Sequence, residues 1–79
     1  MTATLAPYLA AYIEAYAAYM ADTGDDPRAE ERTTADLQRT REAYLVAARF
    51  CGLDTAAAYA LAKPAETPVL AAAIEARTR

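Results

Sequence analysis

The side chains able to do chemistry are few and scattered. Histidine is absent and Cys51 is the single cysteine. A thiol or hydroxyl nucleophile needs a base beside it, and without histidine neither Cys51 nor any threonine has an ordinary one. Cys51 also falls at an expected helix C-terminus, where the helix dipole disfavours a thiolate, so it reads as a small core residue. Carboxylates cluster at Asp25, Asp26, Glu30 and Glu31. Pro27 interrupts that run and its spacing matches no calcium loop, so these residues read as the negative charge favoured at a helix start. Glu14 has no carboxylate three or four residues away for paired acid–base work, and a solvated position is its expected place. Gly24 and Gly52 are the only glycines, too few for a phosphate-cradling loop. These residues predict no catalytic group, no metal site and no cofactor, and a protein that is not an enzyme.

The informative side chains are aromatic. Tyr8, Tyr12, Tyr16 and Tyr19 stand within one stretch, LAPYLAAYIEAYAAYM over residues 5–20. At 100° per residue these tyrosines share an arc of roughly 140° with Leu5, Leu9, Ile13 and Met20. The rest of the cylinder is alanine, with Glu14 at the far pole. Tyrosine buries a ring but needs a partner for its hydroxyl, which suits the edge of a core or a protein interface. A base-stacking platform would need cations beside the rings, yet no Lys or Arg precedes Arg28. A membrane span is not expected either, because alanine and tyrosine are weakly apolar and Glu14 would lie near the bilayer centre. The stretch also lacks the basic leader of a signal peptide.

The elements that position these residues read as helices throughout. The tyrosine helix opens near Thr4, a possible N-cap, and ends near Ala21 or Asp22, with Gly24 supplying the left-handed turn. Asp26-Pro27 starts a second long helix that runs to Cys51, with Thr33-Thr34 as its weak point and Gly52 as its stop. Asp54 caps a short third helix, from Thr55 to about Ala62, which Pro64 should end. Lys63 to Glu66 is then a connector, and Thr67-Pro68 starts a short fourth helix to about Arg77. The expected fold is all-α: one domain over residues 1–79, a small four-helix bundle of two long and two short helices. The short pair should close one end over Val46, Phe50 and Leu53. The expected core is Leu9, Tyr12, Ile13, Tyr16, Leu37, Tyr44, Leu45, Ala48, Leu53, Leu61, Leu70 and Ile74.

The chain holds 79 residues with a formal net charge of −3. That length is near the lower limit for a self-sufficient core, so oligomerisation is an expected supplement. The acidic balance gives no general attraction to phosphate or anionic lipid. Missing disulfides and targeting signals point to a cytoplasmic protein, and the alanine- and arginine-rich composition to a bacterial or phage source.

The leading expectation is a small non-catalytic interaction protein, an adaptor or inhibitor, acting through an apolar, tyrosine-rich helix surface. Tyr8, Tyr12, Tyr19, Val46 and Phe50 are the contact candidates, for a protein partner or a second copy of the chain. An alternative comes from Ala48, Gly52, Leu53 and Leu61, whose spacing loosely resembles a helix-turn-helix. A dimeric DNA-binding regulator built that way would use Arg49, Thr55, Tyr59 and Lys63. Its reading helix offers few donors for phosphate or base edges, so nucleic acid is the weaker expectation. A further alternative is an accessory subunit of a larger complex.

Overall fold

The computed structural model of the protein describes residues 5–78. It contains three helices and no strand among those residues: α1 (Ala6–Ala21), α2 (Pro27–Phe50) and α3 (Thr55–Thr78). α1 packs most extensively on α2, less on α3, and α2 and α3 touch least. α1 is therefore the shared element of the bundle.

The boundaries follow local chemistry. The Thr4 cap lies outside the described residues; Leu5 occupies the N-cap position of α1 without a side-chain cap, and Pro7 stands in the first turn. Asp22 folds back onto the turn, its Oδ1 accepting from the Gly24 amide at 3.0 Å. Asp26 caps α2, its Oδ1 accepting from the Arg28 amide at 3.0 Å. The helix passes Thr33 and Thr34 unbroken, and both hydroxyls fold back to donate to the Glu30 carbonyl, at 3.0 and 2.8 Å. α2 ends in a Schellman motif: the Leu53 amide reaches the Ala48 carbonyl and the Gly52 amide the Arg49 carbonyl, both at 3.0 Å. That motif needs a left-handed residue at Gly52, whose φ is +85°. Asp54 caps α3 by accepting from the Ala57 amide at 2.8 Å.

The expectation of four helices is wrong. Lys63 to Glu66 is not a connector, and the two short helices are one continuous α3 with Pro64 and Pro68 inside it. Proline removes one helical hydrogen bond and crowds the carbonyl four residues back. The carbonyls deprived here belong to Ala60 and Pro64, both at exposed positions where water can serve them. The prolines are four apart, so their rings share one outer face. The opposite face is anchored on both sides of the defect, through Ala58 and Ala62 above it and half-buried Val69 and Ala73 below it.

The core is thin. Leu5, Tyr12, Tyr44, Ala48, Ala58 and Ala62 are buried, with Leu9, Ile13, Leu37, Leu45, Ala47, Cys51 and Leu53 packed partly against them. Four expected core residues are outside it: Tyr16 is half-buried at its edge, and Leu61, Leu70 and Ile74 are 50%, 42% and 54% exposed. A single continuous helix can turn only one stripe inward, and α3 turns Ala58 and Ala62. The end-closing role expected of the short pair is lost with them, and Phe50 is left 89% exposed.

Candidate docking surface

The seam of α2 at Arg39, Ala43, Val46 and Phe50 has 4-3-4 spacing, so these residues align along one side of the helix. Tyr8 of α1 leans against that line. With Glu42 and Ala47 they enclose a shallow open groove of about 360 Å³. Its apolar members are unusually open to water: Tyr8 is 43% exposed, Val46 48% and Phe50 89%. Arg39 and Glu42 give its rim one charge of each sign. Arg39 is engaged with Asp36 one turn earlier, at 3.0 Å and on an exposed face, a contact worth well under about 1 kcal/mol.

Three of the five contact candidates, Tyr8, Val46 and Phe50, thus share one groove. Tyr12 does not belong with them. It is 4% exposed, its ring stacks on Tyr44 with centroids 5.7 Å apart and planes 9° apart, and its hydroxyl donates to Glu66 Oε1. A ring enclosed on both faces by its own chain offers a partner nothing, so Tyr12 is a core residue only. Tyr19, 40% exposed, lies eleven residues beyond Tyr8, about 16 Å along the helix, and does not line the groove.

Glu66 was hidden in the sequence behind the expected connector. Once α3 is continuous, Glu66 falls one turn after Ala62 on the side facing α1. Burial, then the hydrogen bond and negative charge of Glu66, push the Tyr12 hydroxyl well above the usual tyrosine range. The Tyr44 hydroxyl donates to the Ala58 carbonyl at 2.7 Å inside the core, and burial, followed by the charge of Glu66, raises it too. These two phenols cross-link α3 to the other helices, and Tyr16 closes the aromatic row at 6.2 Å from Tyr12.

The residues of the DNA-binding alternative are spread over two elements. Arg49 lies near the end of α2, while Thr55, Tyr59 and Lys63 form an exposed i, i+4, i+8 ridge on α3. The apolar Leu70 and Ile74 continue that side of the helix. Lys63 is the sole lysine of the chain.

A second concavity, of about 780 Å³, opens between the end of α1 and the last turns of α3. Small side chains wall it, chiefly Ala17, Ala21, Ala72, Ala73 and Ala76 beside Met20 and Val69, with Asp22 and Arg77 on its rim. The carboxylates weighed for metal binding are used locally: Asp26 caps α2, and Asp25 accepts from the Thr23 hydroxyl at 2.8 Å. Among the described residues no three potential ligands come together. No helix among them is long and apolar enough to cross a membrane. Comparison with family models, curated proteins and solved structures finds no match to the chain.

Proposed function

We propose that the protein is a small non-catalytic interaction module that docks onto a protein surface through the groove of Tyr8, Val46 and Phe50. The observation that carries this reading is Phe50. A phenylalanine 89% exposed, on a well-formed helix and beside two other half-open apolar side chains, forgoes stabilisation of about 1.5–3 kcal/mol that burial would give it. Contact with a protein surface recovers that energy, and exposed aromatic anchors are the residues that dominate such contacts.

The test places a photo-crosslinking amino acid at position 50, or at exposed Glu31 on α2 as the control, in the full chain in its native cell. Position 50 should give a discrete protein adduct that position 31 does not. Phe50→Ala should then weaken the same complex by more than about 2 kcal/mol, as loss of a hot spot does, with an unchanged circular dichroism spectrum. No adduct from position 50, or affinity indifferent to Phe50→Ala, contradicts the reading.

A further inference from the structure

Resting on that reading, we infer that the surface over Tyr8, Val46 and Phe50 is covered by a second copy of this chain, with the two α2 helices antiparallel about a two-fold axis beside residues 44 and 45. Three observations lead there. The first is the pattern of sizes along the seam. In a two-fold contact each pairing occurs twice, and this axis sets Ala43 against Val46 of the second copy, small against large, as knobs-into-holes packing favours. It also sets Arg39 under the exposed ring of Phe50 of the second copy, a guanidinium on an aromatic face.

The second observation is charge. Glu42 and Arg49 are both exposed and seven residues apart on α2, which puts them on the same flank of the seam, within about 20° of each other. Antiparallel pairing brings that flank against its own copy. Glu42 then meets Arg49 of the second copy, and Arg49 meets Glu42, so the edge is complementary to itself. Parallel pairing would instead set that flank against the opposite one, where Thr40 and Ala47 offer Glu42 and Arg49 no opposite charge.

The third is area. The protein exposes 5677 Å², whereas a compact monomer of this size exposes about 4,700 Å². That surplus of roughly 1,000 Å², taken over the whole molecule, leaves room for the ~800 Å² that each partner buries in a standard interface.

The test is sedimentation velocity of the full chain over a concentration series, with the variants Glu42→Arg, Arg49→Glu and the two combined. Both positions of change are on exposed side chains, and circular dichroism checks that each variant folds. The native chain should pass from monomer to dimer as concentration rises. Each single reversal should raise the dissociation constant on the order of tenfold, since it sets like charges together at both symmetry-related contacts, and the double reversal should restore it. A monomer at every concentration, or a dimer that the single reversals leave unchanged or the double reversal does not rescue, overturns the second copy as occupant. The crosslinks then separate the two readings: adducts from position 50 to a different protein retain the docking surface without the dimer, and no adduct at all removes both.

Discussion

The two buried phenols decide how α3 is held. Tyr12 and Tyr44 stack in the centre, and their hydroxyls are satisfied by Glu66 and by the Ala58 carbonyl. Tyr12→Ala should cost about 3–5 kcal/mol, as for other buried aromatics, whereas Tyr44→Phe, which removes one hydrogen bond and keeps the ring, should cost about 0.5–1.5 kcal/mol. Urea unfolding measures both. pH supplies a second check. Both hydroxyls keep their protons above the ordinary tyrosine pKa of about 10, so the unfolded chain ionises first. Their contribution to stability is complete below about pH 10 and is lost as pH rises beyond it. Urea midpoints should therefore fall from pH 9.5 toward pH 11 (roughly the range in which free tyrosines ionise), and Tyr12→Phe should reduce that fall. Tyr12 was legible in the sequence as a core residue but not as one unavailable to partners. Its hydroxyl is satisfied by Glu66, 54 positions away, a pairing that no local spacing reveals.

Helix boundaries were readable wherever a side chain caps or a glycine turns the backbone, as at Asp26, Gly52 and Asp54. They were misread at Pro64, because the bias of the residue before a proline against helix is a local preference that anchoring on both sides can outweigh. α3 shows that outcome: its buried alanines and the Tyr12–Glu66 bond hold the rod across two missing hydrogen bonds. Pro64→Ala should restore one of them without disturbing any contact with α1 or α2. Stability should rise by about 1–3 kcal/mol with helicity unchanged, and a thermal melt followed at 222 nm reads both. A large gain in helicity would instead mean that α3 is two helices. Gly52→Ala should be destabilising by about 1 kcal/mol. A Cβ there meets nothing within 4 Å, so the cost is that of the left-handed backbone alone.

At the scale of the molecule the three rods make an open body. Its radius of gyration is 13.5 Å and its extents are 40 × 25 × 19 Å, against a radius of about 12 Å for a compact globule of this length. Four tyrosines on one arc pointed to surplus apolar surface on the first helix, but Tyr12 is buried and Tyr16 half-buried, and most of the exposed large apolar side chains lie on α2 and α3. That placement was not legible, since the groove depends on which side of α2 the continuous α3 leaves bare, and that side is the one carrying Val46 and Phe50. In the inferred dimer, two copies meet along this bare side. Phe50 is the only phenylalanine in the chain, so 4-fluorophenylalanine labelling gives one fluorine resonance at the proposed contact. A dilution series should move that signal from a solvent-exposed position to a shifted, broadened one as concentration rises. A single sharp, solvent-exposed resonance that never moves would contradict the account.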